Sequence, residues 1–156
     1  MHVVLSSHYQ VFFNPRVRNI TDSICFRYSQ YFGIKIYHRA IVGTHIHLIV
    51  LAKSDETLHG FLRVVTGVIA AKLLKLGLIP INYKKLWTSR PWSRVLCWGR
   101  SFTTAIRYTA LNYLEGTKQI IRSQTSRRKS ELAKHRCLID EVLAKKLTKI
   151  GTICSK

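Results

Sequence analysis

His45 and His47, separated by Ile46 and followed by Leu48, Ile49, Val50 and Leu51, are the residues of this chain whose types and spacing best suit chemistry. Residues two apart on a β-strand share a face, so both imidazoles would point one way and Ile46 the other. Two neutral imidazoles side by side can hold one divalent cation. A histidine pair on a strand can equally well pack or hydrogen-bond, so the metal reading requires further groups. Tyr108 and Asn112 are the candidates, because residues at i and i+4 are neighbours on a helix. A phenolic oxygen becomes a phosphoryl nucleophile when cations favour its charged form, and Arg107 is one such cation. The amide of Asn112 offers a carbonyl oxygen that could complete a metal site.

The charge balance suggests what such chemistry would act on. The chain has 156 residues, with 26 Lys and Arg against 7 Asp and Glu and a formal net charge of +19. That excess repels itself unless a polyanion neutralises it; nucleic acid is the expected partner and an anionic membrane surface the weaker alternative. Asp22, Asp55, Glu56, Glu115, Glu131, Asp140 and Glu141 are scattered, which argues against a carboxylate-rich nuclease centre. Cys25, Cys97, Cys137 and Cys154 lack any CxxC spacing and are read as reduced intracellular thiols rather than zinc ligands. With no basic leader before an apolar run and no stretch of about 18 uninterrupted apolar residues, the expectation is a cytoplasmic, nucleoid-associated protein without a membrane partner.

The elements that would position these residues follow from periodicity. Residues 2–13 read as a first strand with a polar interruption at Ser6, Ser7 and His8. Asn14 and Pro15 suit an N-cap and first turn, and Val17, Ile20, Ile24, Tyr28 and Tyr31 predict an amphipathic helix over 16–32 that Gly33 ends. Residues 34–42 and 45–52 form a hairpin through Gly43 and Thr44, so the histidines open its second strand. Ser54 caps a helix whose buried stripe is Leu58, Phe61, Leu62, Val65, Ile69, Leu73 and Leu76, closed by Gly77 and Pro80. A further strand is predicted over 86–98, with Pro91 at an edge or bulge, then a helix capped by Ser101 and running from 102 to about 122.

The order β, α, β, β, α, β, α predicts an α+β fold, a ferredoxin-like antiparallel sheet with helices packed on it. One domain over 1–123 is followed by a basic helical appendage over 124–156, where Arg127 and Arg128 lie in a solvated tail or a DNA-contacting helix. On the tyrosine helix, Phe102, Ile106, Thr109 and Tyr113 form the expected core side, with Tyr108, Asn112, Glu115 and Gln119 on a separate polar stripe. Of Trp87, Trp92 and Trp98, at least two are expected to be mainly core, although any of them could stack on unpaired bases.

A strand carrying His45-Ile46-His47 followed by a helix carrying Tyr108-Thr-Ala-Leu-Asn112 resembles the single-tyrosine HUH transposases, and most nearly the REP-associated tyrosine transposases. The resemblance runs from the first strand to about Gly116 and includes the basic, aromatic stretch Trp87-Thr-Ser-Arg90-Pro-Trp92-Ser-Arg94. The chain departs from the family at Thr44, where Asn is frequent, and at Tyr113, where Pro is frequent. The resemblance implies an HUH endonuclease-like fold and a metal-dependent single-stranded DNA endonuclease and strand transferase acting on hairpin-containing DNA. His45, His47 and Asn112 would hold Mg²⁺ or Mn²⁺, and Tyr108 would form a 5′-phosphotyrosine. Arg90, Arg94, Arg100 and Arg107 would contact phosphates near the site. The rival class is a non-catalytic, domesticated DNA or RNA hairpin-binding protein, for which charge and aromatics suffice. The separated His-x-Thr/Ser motifs of two-histidine phosphoesterases are missing. A monomer is slightly favoured over a dimer, with oligomeric state open.

Overall fold

Alternation in the first strand, β1 (His2–Ser6), turns Val3 and Leu5 to one face and His2, Val4 and Ser6 to the other in the computed structural model, which describes residues 1–79 and 85–117. The strand stops at Ser6 rather than continuing to residue 13. A short 3-10 turn (Val11–Phe13) follows, and Phe12 is fully buried there. Asn14 then caps the first helix, α1 (Pro15–Tyr31), its side chain accepting from the Arg16 amide at 2.9 Å. Helix α1 buries Val17, Thr21, Cys25 and Ser29, one per turn. Arg39 pairs with Asp22 at its side.

The hairpin forms as its sequence predicts, with β2 (Lys35–Val42) and β3 (His45–Leu51) joined through Gly43 at a φ of 54°, where a side chain would be strained. Ser54 caps α2 (Asp55–Lys75), accepting from the Thr57 amide at 3.2 Å, with Asp55 and Glu56 at the positive helix end. Leu58, Phe61, Leu62, Val65, Ile69 and Leu73 are its buried stripe, and Leu76 is only half-buried. By length and composition α2 is apolar enough to cross a membrane, with a mean hydropathy of 1.4. Here its stripe packs into the core with Val3, Leu5, Ile46, Leu48 and Val50 of the sheet.

The strand expected over 86–98 is much shorter. Only β4 (Trp92–Arg94) joins the sheet, and Trp87 makes an isolated bridge to Ser7. Pro91 has no amide proton to donate between them, which confines pairing to either side. The final described helix, α3 (Arg100–Gly116), begins at Gly99, whose φ is 94°, and not at a Ser101 cap. The expected continuation to about residue 122, the appendage over 124–156, Arg127, Arg128, Cys137 and Cys154 lie outside the described residues.

The sheet runs β2-β3-β1-β4 and every pairing is antiparallel. With three helices this is an α+β arrangement compatible with a ferredoxin-like fold. Helices α1 and α2 cover the Val3 and Leu5 face. Helix α3 lies on the other, against β2 and β3. At its end a Cβ built on Gly116 would stand 2.1 Å from Val42 Cγ1 and 3.3 Å from the Val42 Cα. Alanine for glycine inside a helix ordinarily stabilises by about 0.5–1 kcal/mol. Gly116→Ala is expected to reverse that sign and destabilise by about 1–3 kcal/mol, because the added methyl overpacks the seat on β2. Urea unfolding measures it; an unchanged or raised midpoint would refute the close approach.

Candidate active site

Register sets which side chains meet. His45 and His47 lie on the α3 face of β3, with Ile46, fully buried, in the opposite layer. Their rings are 6.0 Å apart between centroids and 21° from parallel. His47 is 7% exposed, whereas His45 is exposed and has its Nδ1 2.7 Å from Thr44 Oγ1. Antiparallel pairing sets Val4 opposite His47 and His2 opposite Ile49, so His2 stands diagonally beside His47. Its Nε2 is 3.3 Å from His47 Nδ1. Three imidazoles thus form a row on one sheet face, in the order His2, His47, His45.

Tyr108 closes over the row from α3. Its ring centroid is 5.9 Å from that of His47, nearly perpendicular at 87°, and 6.4 Å from that of His2. Gly116, two turns further along, sits on Val42, the residue paired with His45. Asn112 lies on the helix midway between these two contacts. It is 9% exposed and its buried Nδ2 has no hydrogen-bond partner among the described residues. The expected separate polar stripe is therefore corrected: Thr109, Ala110, Leu111, Asn112 and Leu114 are all buried, and Asn112 is part of the packed surface of α3. Tyr113, expected in the core, is half-buried and lines a cleft of about 910 Å³ between α1, β2 and the end of α3. That cleft does not include the histidine pair.

Burial pushes the His47 imidazole down to about 4, with repulsion from His2 and His45 adding to it. Burial likewise lowers His2, assisted by the N-terminal amine and Arg94. Both rings are neutral at pH 7, which leaves each a lone pair. Among the described residues no three His, Cys, Asp or Glu side chains converge as a metal cage. The amide nearest this row on α3 in sequence is Asn112, one turn from Tyr108. An amide turned by 180° presents its oxygen where the unpartnered nitrogen lies. A cation would satisfy that buried atom, whose isolation otherwise costs about 1–3 kcal/mol.

The cationic and aromatic residues divide around this centre. Arg94 pairs with His2 across β1 and β4 and is exposed, as are Arg90 and Arg100, while Arg107 is half-buried beside Tyr108. Only Trp87 packs against the core, its Nε1 donating to the Thr66 carbonyl at 3.0 Å. The expectation of two core tryptophans fails, since Trp92 is 53% and Trp98 67% exposed. Trp92 stands edge-on to His2 at 5.8 Å, next to the imidazole row. Trp98 packs instead on Tyr37 and Phe102 at the start of α3. Sequence reasoning missed His2, because its proximity to His47 depends on the register between β1 and β3. No protein-family model matches the chain, and no curated protein matches it.

A histidine lowered to about 4 from 6.5 binds fewer protons folded than unfolded, so stability rises with pH across that window. In chelating buffer the contribution is intact above pH 6.5 and is lost as pH falls towards 4, on the order of 3 kcal/mol at the limit. His47→Gln should flatten this part of the profile. Equal pH dependence in the variant would contradict the burial argument.

Proposed function

We propose that this chain is a metal-dependent single-stranded DNA endonuclease and strand transferase, a transposase of the single-tyrosine HUH kind similar to the REP-associated tyrosine transposases. The observation that carries the reading is the ring of Tyr108 set 5.9 Å from that of His47 within one chain. This nucleophile-bearing helix position belongs to the motif predicted from spacing, and its partner belongs to the histidine pair. Tyr113, the alternative tyrosine, faces a different cleft.

His45, His47 and Asn112 would hold Mg²⁺ or Mn²⁺, which when bound polarises a scissile phosphate and neutralises charge developing on it. Tyr108 Oη bonds to phosphorus as the P–O3′ bond breaks. The 5′ phosphate stays on the tyrosine, and the proton lost by the phenol balances the 3′-hydroxyl released. A second 3′-hydroxyl reverses these changes on another DNA end, restoring the phenol. Joining needs no nucleotide hydrolysis, because the phosphotyrosine conserves the bond.

The substrate class follows from charge and exposed rings. Arg90, Arg94 and Arg100 are exposed and available to phosphates, and Trp92 offers an open ring face for an unpaired base beside the proposed site. A hairpin with a single-stranded flank satisfies both. The intrachain meeting of Tyr108 and His47 supports action as a monomer.

Incubation with a labelled pool of hairpins bearing randomised single-stranded flanks, with Mn²⁺, should yield a denaturation-resistant adduct. Tyr108→Phe should abolish it while keeping DNA binding, and Tyr113→Phe should retain it. An adduct that survives in Tyr108→Phe would rule out this nucleophile. Tight binding with no adduct across the pool would favour a non-catalytic hairpin-binding protein. Separately, Trp92→Ala should weaken single-stranded DNA binding about tenfold, within the ~1–3 kcal/mol expected of one stacked base. Affinity unchanged in fluorescence anisotropy would exclude Trp92 as a stacking platform.

A further inference from the structure

His2 is the buried titratable group at the site to which the proposed chemistry gives no part. It is 9% exposed, its Nε2 is 3.3 Å from His47 Nδ1, and the two ring planes lie within 24° of each other with centroids 5.5 Å apart. Nearly parallel rings that bring these two nitrogens within 3.3 Å are arranged for an N–H···N bond.

The direction of that bond decides what His47 can do. A neutral imidazole carries one N–H, so a His47 that donates from Nδ1 keeps a lone pair on Nε2. If Nδ1 accepts instead, the proton sits on Nε2 and closes that atom to a cation. His45 presents the same choice, with its Nδ1 at 2.7 Å from Thr44 Oγ1, an oxygen able to accept. Both Nδ1 atoms therefore have protein partners, and the Nε2 atoms are the positions left for ligation. His2, His45 and His47 do not themselves converge as a three-histidine cage.

We propose that His2 is a positioning residue whose Nε2 accepts the Nδ1–H of His47, fixing the ring and the tautomer that leave His47 Nε2 available to a divalent cation. Metal-ligating histidines depend on such a partner on their second nitrogen, and losing it weakens binding about 10- to 100-fold. The effect on metal affinity rests on reading His45, His47 and Asn112 as ligands, whereas the hydrogen bond does not. Thr44 plays the equivalent part for His45, at the position where the resembled family often has Asn.

Two measurements on the full chain separate these layers. Ring ¹⁵N spectra of the chelated protein at neutral pH should show His47 protonated at Nδ1 and bare at Nε2, a pattern lost in His2→Phe and kept in His2→Gln, whose amide oxygen can accept. Calorimetric titration with Mn²⁺ should show His2→Phe about 10- to 100-fold weaker than the parent, with His2→Gln restored towards it. His47 protonated at Nε2 in the parent overturns the proposal, as does a tautomer and affinity indifferent to His2→Phe. Zn²⁺ used as a diamagnetic probe should perturb His47 Nε2. If it perturbs His2 Nε2 instead, His2 is a ligand and its positioning role is refuted. A His2-dependent tautomer in a protein that binds no Mn²⁺ would uphold the hydrogen bond and refute the metal reading.

Discussion

The seating of α3 on the sheet, where Gly116 leaves no space for a Cβ beside Val42, fixes the height of every side chain that α3 turns towards the histidines. The helix runs along β2, with Phe102 against Tyr37 near one end and Gly116 on Val42 at the other. Four helical residues advance about 6 Å, and two strand residues advance about 6.8 Å. A helix laid along a strand therefore keeps every fourth residue nearly in step with every second strand residue. By that count, Gly116 on Val42 sets Asn112 level with Ala40, the partner of His47, and Tyr108 a step beyond, where its ring reaches both His47 and His2.

Electrostatics act on the same few residues. The chain carries a formal charge of +19, and Arg39 forms an ion pair with Asp22. A proton on a buried imidazole between two others is disfavoured twice, by lost hydration and by repulsion from those neighbours when they are protonated. His47 experiences both, which leaves it neutral in the pH range where phosphates and divalent cations are bound. Arg90, Arg94 and Arg100 lie at the surface, and Arg107 is half-buried beside Tyr108. Arg94 and Trp92 both stand next to His2, at one end of the imidazole row.

Several local signals formed as expected, although the Ser101 cap did not. Asn14 before Pro15, Ser54 before two acids, and Gly43 with Thr44 between apolar runs each act within a few residues, and each forms the cap or turn expected of it. Periodicity oriented each motif on its own element, and only the family resemblance linked Tyr108 to the histidine pair. What could not be read depends on long-range register or on burial from more than one side. His2 is near His47 only because β1 pairs with β3 in one register. Asn112 looks solvent-facing on a helical wheel, yet α3 is buried over Thr109 to Asn112 and again at Leu114. Pro91 cuts the fourth strand to three residues, and the tryptophans on either side then separate into a packed Trp87 and an exposed Trp92.

The central claim is that Tyr108, held against His47, is the atom donor in DNA cleavage. Mass spectrometric mapping of the protein after reaction with hairpin DNA and nuclease digestion reads that claim directly. The account predicts a nucleotide attached through its 5′ phosphate to the peptide containing Tyr108, and to that tyrosine within it. Attachment at Tyr113 or any other residue, or cleaved DNA with a free 5′ phosphate and no modified peptide, would contradict it.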